Sequence, residues 1–465
     1  MRLLLVAYEF PPSPSPQSLR WAYLARELAR AGHEVHVLAP DLGWQTPGLP
    51  ELPPELLVHR TVAGPISGAM ALLARRQAAK AARRAGQASP SEAGQAAPAP
   101  TGNGAALQPV RESRLNWKGR LVERLKGMAQ RALFPDSRGE WRRPARRAAL
   151  ELVERLHPDV LITSHEPATP LEVGLAVKRR FPALPWLADL GDPVLADYTP
   201  PRWQRRAAAL ERQVIARADL VTVTAPGTRD LLRQRHGSPA GTGGAIEVLT
   251  QGFEDRPGTL DAPAPQLFDR DRLELLYTGS FYRFRRPDAL LDAIERVPAA
   301  RLNIASVTIP EWLWPRLEAN PAQFRPLGFL PHRGVLALQR QADVLVNLAN
   351  DNPCQVPGKL YEYLGAARPI LHVKGPAGDD VPSALIAEHR RGWACEPDSA
   401  AIVARLETLA AQKRTGQPIA AGLDMGDSAV SMFGWSQLAH RLAELLAALP
   451  AGRPALAQAL SEQGH

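Results

Sequence analysis

Short, unbroken apolar runs alternate with longer amphipathic stretches along most of this chain. The first run, Leu3 to Ala7, is followed by a Pro/Ser loop from Pro11 to Gln17. Leu19, Ala22, Tyr23, Arg26 and Leu28 then mark a helix that Gly32 ends in C-cap position, and Glu34 to Leu38 (EVHVL) reads as a second strand. Runs of this length suit strands buried on both faces, and the spacing requires a parallel pair with a right-handed crossover. The alternation resumes with a strand at Asp159 to Thr163, a helix over Leu171 to Arg180, and a strand at Trp186 to Asp189. A long helix from about Arg202 to Arg217 follows, then strands at Leu220 to Thr224 and Ile246 to Leu249. The Pro-rich segment Pro257 to Pro265 reads as a linker. A second series starts at Leu273 to Thr278 (LELLYT), with strands near Leu302 to Ser306, Val344 to Asn347 and Ile370 to Val373, and a helix over Trp435 to Leu449 closes the pattern.

The expectation is an α/β protein with two doubly wound, Rossmann-like domains whose ligand cleft lies between the carboxyl ends of the sheets. The boundaries read as 1–255 for the first domain, 256–272 for the linker and 273–430 for the second domain. A closing helix over 431–450 returns to the first domain, and 451–465 is a tail.

Residues 76–113 break the periodicity. Ala, Gln, Gly, Ser and Pro dominate there, and most of the stretch reads as a disordered insertion. After it, 114–134 has a helical pattern: Trp117, Leu121, Leu125, Met128 and Ala132 form a stripe, with Lys118, Arg120, Arg124 and Arg131 mostly off it. This helix packs on the domain, lies on an anionic membrane surface or, as the least favoured reading, binds nucleic acid as a basic peptide. Charge sharpens the second option. The net charge is +9, yet Arg75 to Arg147 holds 17 Lys/Arg against 5 Asp/Glu, so the rest of the chain is slightly acidic. That asymmetry singles out one segment as a contact for something anionic and argues against nucleic acid as a partner. Two cysteines, Cys354 and Cys395, exclude a disulfide framework and a thiolate metal site, as in a reducing, cytoplasmic compartment. The opening MRLLLVAYEF suits a buried strand better than a signal peptide, and no apolar run is long enough to span a bilayer.

Four segments carry candidate chemistry. In Val356 to Leu371 (VPGKLYEYLGAARPIL), Pro357 and Gly358 open a helix whose first turn holds Lys359, Leu360 and Tyr361. Free N–H groups and the dipole at a helix start suit a diphosphate, and Glu362, one turn in, suits vicinal ribose hydroxyls. The plainer alternative is an ordinary helix with a Lys–Glu face. In Tyr277 to Pro287 (YTGSFYRFRRP), Gly279 and Ser280 end a strand with room for close backbone approach, and Arg283, Arg285 and Arg286 follow. Arginine matches phosphate bidentately, although a solvated basic loop has the same composition. Trp186 to Pro193 (WLADLGDP) offers Asp189 and Asp192, which bind an acceptor hydroxyl or cap the next segment. Thr163 to Pro167 offers His165, an imidazole for the cleft or a surface-loop histidine.

The run K-L-Y-E-Y-L-x-x-x-x-P-I resembles the donor-binding stretch of retaining GT-B glycosyltransferases of the group 1, family 4-like kind. In them the second glutamate of an E-x7-E motif holds the ribose, and Glu362 matches it. Cys354 stands at the first position, as a residue other than Glu often does in the KLYEYL subgroup. YTGSFYRFRRP is similar to the family's YxGxxY…R element, which makes Arg285 the diphosphate-binding arginine. WLADLGDP resembles W-x-A-D-F-R-D-P-W, with Gly191 for the Arg and Val194 for the second Trp. Thr163 to Pro167 falls where the family has T-S-x-P, with Pro170 replacing a family histidine. Phe10-Pro11-Pro12 is present, but SPSPQS replaces the Gly-rich loop that usually follows. The resemblance covers the chain outside 76–113. It implies an acceptor domain before a nucleotide-sugar domain and a metal-independent hexosyltransferase with no cofactor. Gly279, Ser280, Arg285, Lys359, Leu360, Tyr361 and Glu362 would bind the donor, with His165 and Asp192 at the reacting centre. The expected substrates are a nucleotide-diphosphate sugar and a sugar or lipid-linked acceptor, in cell-surface polysaccharide or glycolipid synthesis at the inner face of the membrane.

Other readings rest on other residues. Asp269-Arg270-Asp271 has the D-x-D form of a metal site, but Arg270 and Arg272 offset it in the linker. No G-x-G-x-x-G follows Val6 or Tyr277, which disfavours a dehydrogenase. A sugar-nucleotide epimerase, or a module that binds a partner without catalysis, fits the same scaffold. The departures at Cys354, Gly191 and Pro170 motivate the module.

Overall fold

A computed structural model describes residues 1–43, 46, 49–85, 110–111, 133–135, 137–237, 245–256, 267–281, 285, 287–306, 308–350, 356–376, 378 and 380–450, the side chains of 74, 77–85 and 110–111 excepted. The chain splits into two compact units. One comprises Met1–Asn103, Asn116–Leu249 and Ala439–His465, the other Gly104–Leu115 and Thr250–Leu438.

In the first unit the strands are β1 (Arg2–Ala7), β2 (Glu34–Asp41), β3 (Leu57–Val62), β4 (Val160–His165), β5 (Trp186–Leu190), β6 (Leu220–Val223) and β7 (Ala245–Val248). They form one parallel sheet in the order β3-β2-β1-β4-β5-β6-β7. Its order reverses between β1 and β4, the topological switch point beside which open α/β sheets bind ligands. Helices α1 (Pro16–Arg30), α2 (Pro65–Ala85), α3 (Arg142–Leu156), α4 (Thr169–Arg180), α5 (Pro201–Arg217) and α6 (Pro226–His236) are interleaved with the strands. The Ser15 side chain accepts from the Ser18 N–H, and proline in the first turn of α1 starts it earlier than the apolar stripe alone indicates. Gly32 at φ +85° follows the last turn, as the C-cap reading required. Trp186 anchors the core: it is fully buried, its Nε1 donates to Thr163 Oγ1 at 2.9 Å, and its ring lies 2.5 Å from where a Cβ on Gly174 would be. Only glycine lets α4 approach β5 this closely.

In the second unit β8 (Leu273–Thr278), β9 (Ala300–Ala305), β10 (Phe324–Pro326), β11 (Val344–Leu348), β12 (Ile370–Val373) and β13 (Gly392–Cys395) form a parallel sheet ordered β10-β9-β8-β11-β12-β13. Here too the order reverses, between β8 and β11. Helices α7 (Asp288–Arg296), α8 (Trp314–Ala319), α9 (His332–Gln339), α10 (Gly358–Gly365), α11 (Val381–Glu388) and α12 (Ser399–Arg414) alternate with the strands; the last helix, α13 (Trp435–Ala447), belongs to this unit up to Leu438 and to the first unit from Ala439.

Five strands were not foreseen: the sheet edges β3, β10 and β13, and the two-residue strands Val110–Arg111 and Thr308–Ile309, which pair with each other in parallel. The stretch read as disordered from 76 is helical as far as Ala85, because Gln, Ala, Lys and Arg in QAAKAARRA are strong helix formers. Apart from the strand Val110–Arg111, the remainder of that stretch, most of the basic 114–134 segment, residues 257–266 of the linker and the tail 451–465 lie outside the described residues.

Candidate functional site

In the second unit the predicted donor residues gather at the carboxyl ends of β8 and β11, on both sides of the switch point. Strand β8 ends at Thr278, and Gly279 takes φ +96°, a region that favours glycine. A Cβ there would find only Lys359 Cδ, at 4.0 Å, so the requirement comes from the backbone. The turn is fixed by the Tyr277 hydroxyl, which donates to the Ser280 carbonyl at 2.9 Å. Arg285 is held across the switch point: its Nε donates to Asn350 Oδ1 at 2.8 Å, just beyond β11, and its Nη1 to Ser280 O at 3.4 Å.

Helix α10 supplies the other half. Its cap residue, Pro357, has no side-chain acceptor to offer, so the first N–H groups point out of the helix without a capping oxygen. Lys359 Nζ donates to the Thr278 carbonyl at 3.0 Å and lies 3.6 Å from the Tyr277 ring centroid. Burial drives the Lys359 pKa well down, Arg285 adds to the shift, and Glu362 opposes it. An ammonium held beside a guanidinium is destabilised until an anion arrives. Tyr363, on the same helix face, accepts the Thr278 N–H at 3.0 Å and locks α10 to β8. Burial raises its phenol pKa, which keeps it protonated.

Glu362 is also fixed. Its Oε1 pairs with His332 Nε2 at 2.9 Å, and its Oε2 accepts from Gln339 Nε2 at 3.2 Å, both from α9. Each carboxylate oxygen has a second lone pair left for a vicinal diol. The Leu360 and Tyr361 side chains are buried in the core, Tyr361 with its ring 5.3 Å from that of Phe433. They anchor α10, and only their backbone can face a ligand. Arg283, Arg286 and Cys354 lie outside the described residues. Asn350, His332, Gln339 and Tyr363 were missed. Tyr363 alone had a sequence signal, lying one turn past Lys359 on the same face.

In the first unit the structure separates the two aspartates. Asp189 is wholly buried and accepts from Arg20 Nε (3.2 Å) and Nη2 (3.0 Å), Trp21 Nε1 (3.0 Å), Gln17 Nε2 (3.0 Å) and Thr222 Oγ1 (2.8 Å). Arg20 is equally buried. Asp189 is therefore a tie between α1, β5 and β6, with its oxygens occupied. Asp192 stays at the surface: Tyr198 Oη donates to its Oδ2 at 3.2 Å and to Glu166 Oε1 at 2.7 Å. Burial, Asp192 and Glu166 in that order push the Tyr198 phenol up, so these carboxylates hold a neutral hydroxyl.

His165 is not a surface-loop residue. It is the last residue of β4, buried, and its Nδ1 has no hydrogen-bond partner among the described residues. Its carbonyl lies 3.5 Å from where a Gly191 Cβ would be, and Gln17 Oε1 lies 3.3 Å from that point. Neither contact is severe, since the Gln17 amide can shift, so crowding at the Cβ does not by itself explain the glycine at 191. Pro170 fits the first turn of α4, where its missing N–H costs little. Asp269 of the D-x-D pattern turns back on its own loop, accepting the Asp271 N–H at 3.0 Å. Among the described residues no group of His, Cys, Asp or Glu could hold a metal ion, and no helix is long and apolar enough to cross a membrane.

Residues 107–252 match the sequence family described as Glycosyltransferase Family 4. No curated protein matches the sequence. Among solved structures, sucrose-phosphate synthase from Thermosynechococcus elongatus is similar over 96% of this chain and 98% of its own, at 15% identity and a TM-score of 0.59. Anabaena HepE in complex with UDP and glucose is similar over 97% and 100%, at 13% identity and 0.56. The trehalose-6-phosphate synthase of E. coli bound with UDP-2-fluoro glucose is similar over 97% and 100%, at 11% identity and 0.57. Identities this low establish the fold and nothing finer. The chain has the GT-B fold, two parallel sheets with interleaved helices, and carries a Glycosyltransferase Family 4 segment within it.

Proposed function

We propose that this protein is a glycosyltransferase that moves a sugar from a nucleotide-diphosphate sugar to a hydroxyl acceptor, with retention and without a metal. The observation that carries the reading is the pairing of Lys359 and Arg285 at the switch point, with Glu362 fixed one helical turn away. In this reading the two cations and the first N–H groups of α10 hold the diphosphate. Glu362 accepts from the ribose hydroxyls, and Gly279 gives the backbone room beside the ligand. As the glycosidic bond breaks, negative charge develops on the leaving diphosphate, and a preorganised cation pair stabilises it. The leaving phosphate oxygen takes the acceptor hydroxyl's proton, so the chain needs positioning more than a strong base.

Asp192 and Glu166 support the acceptor side of the reading, because they already hold a neutral hydroxyl, that of Tyr198. His165, whose Nδ1 has no partner among the described residues, is the imidazole proposed for the reacting centre. The basic character of 114–134 supports a lipid-linked acceptor at the inner membrane face, in cell-surface polysaccharide or glycolipid synthesis.

The test is transfer itself. A panel of nucleotide sugars, each with sugar and lipid-linked acceptors and with EDTA present, should release nucleoside diphosphate for one donor family. The product should keep the donor's anomeric configuration by NMR. Arg285→Ala and Glu362→Ala should remove the release. Donor cleavage that needs a divalent ion, or that survives both substitutions, would contradict the assignment.

A further inference from the structure

A second cationic site lies in the first unit, on the outer side of α3, α4 and α5, and the donor reading does not use it. Five arginines and one glutamate line an open groove of about 510 Å³: Arg142, Arg143 and Arg146 from α3, Glu172 and Arg179 from α4, and Arg206 from α5. The spacing explains the gathering. Positions 142, 143 and 146 share one face of α3, and 172 and 179 share one face of α4, at the i, i+3, i+4, i+7 intervals that align side chains. Buried Leu175, Ala176 and Leu210 form the floor, so the guanidiniums stand on a packed base.

Two of the arginines are preset. Glu172 Oε1 accepts from Arg206 Nη2 at 2.6 Å and from Arg142 Nη1 at 3.4 Å, tying α3 and α5 to α4 through one carboxylate oxygen. Arg206 also lies 4.4 Å from the Phe134 ring centroid, which holds the guanidinium plane. By contrast, Arg143, Arg146 and Arg179 are exposed and have no ion pair or hydrogen bond among the described residues. A concave surface with five guanidiniums against one carboxylate concentrates anions. Each unpaired fork matches one edge of a phosphate bidentately. None of the exposed large apolar side chains among the described residues belongs to α3, α4 or α5, so the groove lacks what insertion into a bilayer core would need.

We propose that this groove binds a ligand carrying two or more phosphate groups, with Arg143, Arg146 and Arg179 as its principal contacts and Glu172 holding Arg142 and Arg206 in place. The phosphates come either from a soluble polyphosphorylated molecule or from a lipid headgroup, and both present the same chemistry to the groove. The inference is independent of the nucleotide-sugar assignment.

Tripolyphosphate is the soluble probe, titrated calorimetrically into full-length Lys359→Ala protein so that the donor candidate contributes little. Binding should weaken as salt is raised from 50 to 300 mM. Adding Arg143→Gln, Arg146→Gln and Arg179→Gln together should cost at least tenfold in affinity. These three residues have no structural partners, so the thermal midpoint should stay unchanged. A second arm uses vesicles of phosphatidylglycerol with a phosphorylated headgroup lipid, against phosphatidylcholine alone. Tripolyphosphate binding lost in the triple variant assigns a soluble ligand. Flotation with the anionic vesicles lost in the same variant, without tripolyphosphate binding, assigns a headgroup. Affinity for both probes unchanged in the triple variant, or absent in the parent, would overturn the proposal.

Discussion

Asp189→Asn separates a structural aspartate from a substrate-binding one. The substitution keeps the shape of the side chain but removes the charge that faces Arg20, and both side chains are wholly buried. It also sets an NH2 group among the donors of Arg20, Trp21, Gln17 and Thr222, which now meet two acceptor oxygens. Breaking a buried ion pair by removing one partner costs about 3–5 kcal/mol, because the other charge is left uncompensated. For a unit of roughly 250 residues each kcal/mol moves the midpoint by about 2–4 °C, so the loss should be roughly 6–20 °C. The assay is a thermal scan by near-ultraviolet circular dichroism, with the second unit followed through nucleotide binding. That binding should be unchanged. Replacing both partners together, Arg20→Met with Asp189→Leu, removes the orphan charge but strands the Trp21 and Thr222 donors and the Leu249 carbonyl, so it should not restore the parent midpoint. A midpoint within 2 °C of the parent, together with lost transfer activity, would refute the reasoning and place Asp189 in contact with the acceptor.

Three further outcomes follow from the second unit. Glu362→Gln should weaken nucleoside diphosphate binding about tenfold to a hundredfold by calorimetry, the range for a lost hydrogen bond to a charged group; unchanged affinity would remove Glu362 from the ribose. Because burial and Arg285 hold the ligand-free Lys359 pKa below 10.5, the unfolded chain binds more protons between the two values, and ligand-free stability should rise with pH there. Diphosphate binding should restore the pKa and take up a proton in that window, seen as buffer-dependent binding heats that vanish in Lys359→Met. Gly279→Ala should cost ~1–2 kcal/mol in urea unfolding, from the φ of +96° and not from crowding, and should weaken nucleotide binding as the turn relaxes; a neutral change would mean that the turn adapts freely.

The central strands were legible because both of their faces are covered. LLLVA, the VLI of DVLIT and the LLY of LELLYT are short apolar runs of the kind that strands buried on both faces show. Three of the four edges were not: β3 (LVHRTV) is partly exposed along its length, β10 (FRP) spans three residues, and β13 (GWAC) is short. Their pairing partners lie far along the sequence, and no local pattern records that. The site divided in the same way. Lys359, Arg285 and Glu362 stood out because their chemistry is local to one turn. His332, Gln339 and Asn350 act across 30, 23 and 65 residues of sequence, so only folding brings them in. Asp189 shows the opposite failure, since a motif position that suits an acceptor equally suits a buried ion pair. The arginine groove was not read from the sequence, because α4 and α5 contribute one arginine each and only packing against α3 gathers them.

The most direct test of the donor assignment is a metal-free thermal-shift panel of UDP, GDP, ADP, CMP, dTDP and their common sugars. A ligand at a hundred times its dissociation constant stabilises by about 2.7 kcal/mol, a shift large enough to see. The account predicts a shift with one nucleotide family that disappears in Glu362→Ala. Silence across the whole panel, or a shift that survives this substitution, would contradict it.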